Sequence, residues 1–344
     1  MTDNLNSVSD SEAAEIRNAL VDMGLAAPDA VPSISRLSGG VSCDVYRAEL
    51  GARTICVKRT LPKLRVKADW RAPAERSAAE VAWLKLAGKI VPGSAPAVLG
   101  EDTQCHVFAM EFFPPEDFPV WKSELASGRI RPDFAEDVGR AIARIHGATA
   151  GNDTIARAFA NDAQFLALRL DPFLLYVAEE HPSVAQRLRS LSDGVARART
   201  ALMHGDVSPK NILCGPNGPV FLDAETACYG DPAFDLAFCL THLLLKCVWN
   251  PEWREGYLAC FDRFVAGYKA QVAWEDLPEL EMRAAALVPA LLLARVDGKS
   301  PAEYLTDESK RHFVRSESIS LLQGAEALLD RIAEHWSAAI ACGF

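Results

Sequence analysis

The stretch HGDVSPKNIL (residues 204–213) places a histidine, an aspartate and an asparagine within one short loop. Apolar segments flank this loop, and VFLDAE (220–225) follows after the turn sequence GPNG. The pattern predicts a β-hairpin with Asn211 near one end and Asp223 at the other. An amide oxygen and a carboxylate would then lie close to a common point, which suits Mg²⁺ because Mg²⁺ prefers oxygen ligands. The third polar residue of interest, Asp206, would be free to accept a proton from a hydroxyl group.

A base-like aspartate beside a metal held by Asn and Asp is the set of groups that phosphoryl transfer requires. Each residue alone also fits an ordinary turn, because Asp and Asn are both favoured in turns. The combination of Asp206, Asn211 and Asp223 at these spacings favours a reaction centre over simple turn chemistry.

Composition narrows the class of protein. The chain has 344 residues, of which 49% are hydrophobic and 24% charged, with a formal net charge of −10. This length predicts two lobes, and the acidic balance excludes a general nucleic-acid binder. The apolar run 285–294 is too short to span a bilayer and contains Pro289, so it predicts a buried helix and no membrane partner. Nothing in the sequence indicates the oligomeric state.

The expected compartment is the cytoplasm. The nine cysteines are odd in number and form no CxxC pair, a pattern typical of free thiols in a reducing environment. The N-terminal segment MTDNLNSVSDSEAAE is polar and acidic and shows no signal-peptide pattern.

The secondary-structure signals predict an α+β fold with two lobes. Ser11 is expected to cap a first helix, and residues 34–60 predict two or three antiparallel strands. A helix closed by Gly88 and a strand over 106–113 follow, and the remaining periodicity is mainly helical. We therefore expect a β-rich N-terminal lobe (1–112), a Pro-containing hinge (113–119) and a helical C-terminal lobe (120–344).

The motifs HGDVSPKN, FLDAE and GDPAFDLA (230–237) together resemble those of the aminoglycoside phosphotransferase/choline kinase superfamily. The resemblance covers residues from about 30 to 330 and implies a protein-kinase-like fold with a small antiparallel sheet lobe and a helical lobe. It implies an ATP- and Mg²⁺-dependent kinase that phosphorylates a hydroxyl of a small molecule. Asp206 would be the catalytic base, and Asn211 and Asp223 would hold Mg²⁺. His204 would anchor the loop, and Asp235 would brace it from the following helix.

The chain departs from these relatives at two positions. Choline kinases usually carry Asn after the histidine of the loop, and Gly205 occupies that place here, which disfavours choline as the acceptor. Protein kinases have glycine as the third residue of the metal motif, where this chain has Glu225. Glu225 would either assist the metal or face solvent.

The N-terminal lobe contains candidate nucleotide-binding residues. Lys58 lies in an apolar strand segment downstream of SGGVSCDVY (38–46), at the spacing of a kinase glycine loop and its β3 lysine. The same segment predicts phosphate contacts at three positions: Gly39, Gly40 and Ser42. By position, the backbone of Glu111 and Phe113 would contact adenine.

The expected partner of Lys58 is Glu80, with Glu75 as the alternative. A competing interpretation exists for Glu80, because Ser77 and Glu80 have the spacing of a helix capping box, which needs no active site. If the helix begins earlier, with Pro73 in its first turn, the capping interpretation fails.

The sequence leaves the acceptor undecided. The acidic segment 273–283 would suit a cationic amine, whereas 294–305 carries Arg295 and Lys299 beside Asp297 and would suit an anionic or sugar-like acceptor. Arg295 and Asp297 are the candidate acceptor residues. Two alternatives to a kinase also stay open, namely a non-catalytic nucleotide-binding regulator and a nucleotidyl transferase.

Overall fold

The computed structural model describes residues 8–37, 43–61, 76–324 and 328–343. Within them, the N-terminal part contains a five-stranded antiparallel sheet with the order β1-β2-β3-β5-β4. Its strands are β1 (Ser33–Leu37), β2 (Cys43–Leu50), β3 (Arg53–Thr60), β4 (Val98–Asp102) and β5 (Val107–Glu111). Three strands therefore lie where two or three were expected, over residues 34–60.

Two helices accompany the sheet, α1 (Asp10–Asp22) and α2 (Arg76–Ile90). Ile16 and Leu20 of α1 join one buried cluster with Ile55 of β3. The opposite face of the sheet packs against Trp83 and Leu84 of α2, in a cluster that continues into the C-terminal part. The sheet is therefore covered on both faces.

The C-terminal part is mainly helical. Its helices are α3 (Trp121–Ala126), α4 (Pro132–Thr149), α5 (Asp153–Ala158), α6 (Asp162–Phe165), α7 (Tyr176–Glu180), α8 (Ala185–Arg197), α9 (Pro232–Trp249), α10 (Arg254–Lys269), α11 (Leu277–Asp297), α12 (Glu308–Gln323) and α13 (Leu329–Gly343). A π-helix (Leu166–Leu175) precedes α7, and short strands form two pairs, β6 (Ala201–Met203) with β9 (Cys228–Gly230) and β7 (Ile212–Gly215) with β8 (Gly218–Phe221). The α+β architecture expected from the sequence is confirmed.

Helices α4 and α10 pack closely because each contributes a glycine at the crossing. A Cβ added at Gly139 would lie 2.2 Å from the carbonyl oxygen of Phe264, and one added at Gly267 would lie 2.3 Å from that of Glu136. Larger residues would force the helices apart. This pair of helices lies behind the loop that contains His204, because α4 also supplies His146, described below.

Helix α9 is long and apolar enough to be considered for a membrane span, but 94% of it is buried inside the fold. It is a central helix of the C-terminal core, in contact with α10 and α11. The run 285–294 lies within α11, as the sequence predicted, and Pro289 is accommodated inside that buried helix.

Some expected details were wrong. The first helix is capped by Ser9, not Ser11, because Ser9 and Glu12 form a reciprocal capping box. Helix α2 does not close at Gly88 but continues to Ile90, and the nearby glycine with a positive φ, which suits it to a turn, is Gly93 at 83°. Strand β4, which is only five residues long, was missed.

The segment between the two parts is short. Strand β5 ends at Glu111 and α3 begins at Trp121, and the intervening chain contains a turn in which the N–H of Phe118 donates to the carbonyl of Pro114 at 2.9 Å. The rings of Phe113 and Phe118 pack with centroids 4.6 Å apart.

Candidate active site

The histidine of the loop joins two backbone segments. The N–H of Asp206 donates to Nδ1 of His204 at 3.1 Å, and Nε2 of the same ring donates to the carbonyl of Leu222 at 3.0 Å. Burial lowers the pKa of His204, so the ring is neutral and has one donor and one acceptor nitrogen. His204 therefore holds the loop against the segment that precedes Asp223.

Asp235 braces the loop from α9, as expected. Its two carboxylate oxygens accept from the N–H groups of His204 at 2.7 Å and Gly205 at 2.8 Å. His146 of α4 contacts the same carboxylate at 3.2 Å. Gly205 has a φ of 78°, and a Cβ there would lie 2.6 Å from Oγ1 of Thr226, so the position requires glycine.

Asp206 is buried between two cations. Its Oδ2 lies 2.9 Å from Arg169 of the π-helix and 3.2 Å from Lys210 of the loop. Burial alone would raise the pKa of Asp206, but Lys210 and Arg169 outweigh burial and lower it. The carboxylate is therefore ionised at neutral pH, the state in which it can accept a proton.

The hairpin expected from the sequence is present, with Ile212 paired to Phe221, and it brings Asn211 and Asp223 together. The N–H of Leu222 donates to the carbonyl of Asn211 at 2.8 Å. The amide nitrogen of Asn211 donates to the carbonyl of Asp206 at 3.1 Å, which leaves the amide oxygen for a ligand. Asp223 has a φ of 65°, in the left-handed region that Asp tolerates better than most residues.

The donor set at this hairpin fits Mg²⁺. Asp223 offers a carboxylate whose side chain is 28% exposed, and Asn211 offers a neutral oxygen. Burial raises the pKa of Asp223, but Lys58 and Lys210 reverse that effect and lower the pKa well below its usual range. An ionised oxygen and an amide oxygen, with room for water and phosphate oxygens, are the ligands that Mg²⁺ takes.

Lys58 links the sheet to this hairpin. Its Nζ lies 2.7 and 2.8 Å from the two oxygens of Glu80 in α2 and 2.5 Å from Oδ1 of Asp223. Burial would lower the pKa of Lys58, but Asp223 and the neighbouring acidic groups raise it well above its usual value. Ser77 lies inside α2, so it does not cap the helix, and the Glu80 carboxylate is committed to Lys58.

Several candidate residues cannot be placed. Gly39, Gly40 and Ser42 lie outside the described residues, as do the alternative partner Glu75 and Pro73.

The two candidate adenine-contact residues are described. The N–H of Glu111 is already donated to the carbonyl of Ala97 at 2.9 Å, so it is not free for adenine. Phe113 follows in the segment between β5 and α3, where its ring packs on Phe118.

Glu225 does not face solvent. It is 7% exposed, and its Oε2 accepts from Nε of Arg76 at 2.8 Å. Because Arg76 belongs to α2, this ion pair ties the segment after Asp223 to the N-terminal part, a contact that the sequence did not suggest.

The two candidate acceptor residues, Arg295 and Asp297, have different surroundings. Arg295 is 7% exposed, and its guanidinium lies 5.8 Å from the ring centroid of Phe173. Asp297, the last residue of α11, instead accepts from Arg315 at 2.6 and 2.7 Å and contacts His181 at 2.9 Å. The Asp297 carboxylate is thus committed to a structural ion-pair group.

Sequence reasoning missed Arg169 and Lys246. Arg169 donates from Nε to the carbonyl of Gly205 at 2.6 Å, in addition to its contact with Asp206. Lys246 is 1% exposed in the middle of α9. Each is a lone cation within a strongly apolar segment, FLALRLDPFLL (165–175) and CLTHLLLKCVW (239–249), and that signal could have identified both.

Comparison with known proteins identifies relatives. A family model described as phosphotransferase enzyme family matches residues 33–275. A methylthioribose kinase from Bacillus thuringiensis subsp. konkukian is 24% identical over 245 residues, and one from Bacillus mycoides is 24% identical over 240 residues. Each of these alignments covers 62% of this chain and 61% of the relative, so the match spans about six tenths of the length of each.

Solved structures share the fold. A Plasmodium vivax ethanolamine kinase superposes with a TM-score of 0.54 at 12% identity, over 99% of this chain and 91% of that one. A spectinomycin phosphotransferase, solved in complex with ADP and spectinomycin, gives a TM-score of 0.53 at 12% identity, over 96% of this chain and 99% of that one. At such identities the likeness establishes the kinase-like fold and no finer property.

Proposed function

The chain belongs to the phosphotransferase enzyme family, and on that premise we propose that it transfers the γ-phosphoryl group of ATP to a hydroxyl group of a small molecule, with Mg²⁺ as cofactor. The relatives support this class of reaction, since they include methylthioribose kinases and a spectinomycin phosphotransferase solved with ADP. The expected domain roles follow, with the nucleotide held between a sheet lobe (1–112) and a helical lobe (120–344) across the hinge (113–119).

One observation carries the proposal. Lys58 of the sheet lobe and Asp223 of the hairpin are joined at 2.5 Å, next to the loop that presents Asp206 and Asn211. Phosphoryl transfer depends mainly on positioning and on electrostatic stabilisation of charge. This cluster supplies both, because a buried cation, two ionised carboxylates and an amide oxygen meet where the lobes face each other.

The residues have distinct proposed roles. Asn211 and Asp223 would hold Mg²⁺, which when bound neutralises charge on the phosphate oxygens. Lys58, held by Glu80, would bind phosphate oxygens of the nucleotide. Asp206 would orient the acceptor hydroxyl and take its proton. His204 and Asp235 would keep the loop in place.

The remaining nucleotide contacts are proposals from position alone. The glycine segment with Gly39, Gly40 and Ser42 would cover the phosphates. Since the N–H of Glu111 is used within the sheet, its carbonyl and the backbone of Phe113 are the groups that we propose for adenine.

The test combines a substrate panel with one variant. Wild-type protein is incubated with Mg-ATP and a panel of hydroxylated metabolites, and released ADP and product mass are measured. Asp206→Asn should lower turnover ~10²–10⁴-fold, the usual worth of a general base, and leave Mg-ATP affinity unchanged. Asp193→Asn is the matched control, because Asp193 is an exposed helix residue that lies 3.6 Å from Arg197.

The alternatives give different results in the same experiment. Release of pyrophosphate together with a nucleotidyl adduct would identify a nucleotidyl transferase. Mg-dependent ATP binding without turnover of any hydroxyl compound would identify a non-catalytic regulator. Full activity of Asp206→Asn would remove Asp206 from the mechanism.

A further inference from the structure

Two cations are buried in the C-terminal helices without a full set of partners. Lys246 of α9 is 1% exposed and Arg295 of α11 is 7% exposed. Within the part of the chain that the structure describes, Nζ of Lys246 and Nε of Arg295 have no hydrogen-bond partner. Burying a charge without an opposite charge is costly, so such groups are rare outside binding sites.

Arg295, the second of these cations, lies near the proposed base Asp206. Arg169 contacts Asp206 at 2.9 Å, and its guanidinium lies 5.8 Å from the ring centroid of Phe173. Arg295 lies at the same distance from that ring, and the charges of Asp206 and Arg169 both act on Arg295. Arg295 and Arg169, which contacts the proposed base, therefore approach the same ring of Phe173.

Lys246 is connected to Arg295 through Tyr304. Its Nζ lies 4.8 Å from the ring centroid of Tyr304 and 5.0 Å from that of Trp249, and these two rings pack at 4.9 Å. Tyr304 also acts electrostatically on Arg295. The hydroxyl of Tyr304 is a further buried polar group with no hydrogen-bond partner among the described residues.

The groups that face this cluster do not neutralise it. His242, one turn before Lys246, has a pKa well below its usual value because of burial and the charge of Arg295, and so is neutral. Glu303 is bonded to Lys122 and has a side chain that is 63% exposed. Asp206 is already shared between Arg169 and Lys210. The cationic cluster of Lys246 and Arg295 therefore keeps an excess of positive charge.

The competing acidic segment 273–283 is different, because three of its four acidic residues are already engaged. Glu275 is bonded to Arg283 at 2.5 Å, and Glu281 to Lys269 at 2.7 Å. The carboxylate of Asp276 caps α11. The fourth, Glu279, is exposed on α11, so among the described residues the segment offers no buried, unpaired carboxylate to a cationic amine.

We propose that the acceptor is a small anionic alcohol, carrying a carboxylate or a phosphate that Lys246 and Arg295 bind while its hydroxyl faces Asp206. This rests on the proposed function. In the reaction the acceptor oxygen forms a bond to the γ-phosphorus and its proton passes to Asp206. The bond from the γ-phosphorus to the bridging oxygen breaks, and ADP leaves with that electron pair.

The experiment compares acceptors that share a carbon skeleton and differ in charge. Glycerate, glycerol 3-phosphate, glycerol and serinol form one set; gluconate, glucose 6-phosphate, glucose and glucosamine form the other. With Mg-ATP, kcat/KM for an anionic member should exceed that of its neutral and cationic counterparts by tenfold or more. The carboxylate and phosphate members distinguish the two sources of charge.

Variants connect the preference to the cluster. Lys246→Met should raise KM for the anionic acceptor at least tenfold and leave Mg-ATP affinity unchanged, and Arg295→Gln should act in the same direction. Lys269→Met is the matched control, since it removes one lysine charge from the neighbouring helix α10 and should leave KM unchanged.

A binding assay separates failure of this inference from failure of the kinase proposal. Inorganic phosphate and malonate, at constant ionic strength, should raise the Tm of the wild type and raise that of Lys246→Met much less. Equal shifts in both proteins, or better turnover of neutral or cationic acceptors, would overturn the anionic acceptor alone. Selective anion binding with no phosphoryl transfer to any acceptor would instead contradict the kinase proposal.

Discussion

Lys246→Met should stabilise the protein in the absence of ligand, although it removes a proposed binding residue. Burial lowers the pKa of Lys246 from 10.5 to about 8, with Lys122 adding to the effect and Glu303 opposing it. A tenfold change in proton affinity corresponds to about 1.4 kcal/mol, so keeping Lys246 protonated at pH 7 costs the folded state about 3 kcal/mol. Methionine has a similar length and carries no charge.

Part of the stabilisation expected for Lys246→Met is offset by lost contacts. The ammonium of Lys246 interacts with the rings of Trp249 and Tyr304, a contribution of about 1–2 kcal/mol when desolvated, and a methionine sulfur recovers some of it. The expected net stabilisation is about 1–2 kcal/mol. For a chain of 344 residues, with an unfolding entropy of about 2.1 cal/mol/K per residue, this raises Tm by roughly 1–3 °C.

The pH dependence of the unfolding free energy tests whether the buried charge of Lys246 causes the loss of stability. Because the folded-state pKa of Lys246 is depressed, its cost is complete below about pH 8 and disappears as pH rises towards the unfolded value of 10.5. The advantage of Lys246→Met over wild type in unfolding free energy should therefore fall by about 2 kcal/mol between pH 7 and pH 9.5, which cancels or reverses it. Denaturant titrations at both pH values measure this difference.

Lys269→Met serves as the control, because it breaks the ion pair with Glu281 at 2.7 Å. That variant should be slightly less stable than wild type at both pH values, within about 1 kcal/mol. If Lys246→Met were destabilised at pH 7, or if its advantage were independent of pH, the argument that Lys246 is a buried and uncompensated charge would be refuted.

Two further predictions concern the reaction centre. Because Lys210 and Arg169 outweigh burial and lower the pKa of Asp206, protonation of the base should reduce kcat/KM only at pH values below the ordinary titration range of an aspartate; Arg169→Gln should move this acid limb to higher pH, and an unchanged pH–rate profile would contradict the role of Arg169. Glu80→Gln should raise KM for Mg-ATP at least tenfold and leave KM for the acceptor unchanged, since it removes the carboxylate that holds Lys58 at 2.7 Å. Steady-state kinetics with each substrate varied in turn measure both values, and a parallel rise of the two KM values would contradict this role of Glu80.

The part of the candidate site that contains Asp206, Asn211 and Asp223 was predictable because these residues are close in sequence. Asp206, Asn211 and Asp223 lie within one loop and one hairpin, so turn chemistry and strand pairing alone bring them together. Lys58 could be proposed from its spacing after the glycine segment, and Glu80 as a glutamate of the next helix. What the sequence could not show is that Lys58 also reaches Asp223, because that contact joins residues 165 positions apart.

The surroundings of the base were not predictable in the same way. Arg169 lies in a π-helix that contains Pro172, which has no backbone N–H to donate. A periodicity of 3.6 does not describe that segment, so its side-chain directions could not be inferred. Glu225 was expected to meet metal or solvent, but a tertiary contact with Arg76 decides its position instead.

The proposed acceptor-binding residues were harder to recognise, because they occupy ordinary core positions. Lys246 lies on a helix whose other residues are nearly all apolar and buried, so its position matches that of a packing face. Only the energetic cost distinguishes it, since packing alone would favour a methionine or leucine at position 246. A lysine there lowers the stability of the unliganded protein, and an anion that offsets its charge would recover that stability on binding. Stability that rises on removal of Lys246 while acceptor affinity falls is therefore the combination that a binding role requires, and a purely structural lysine would not produce it.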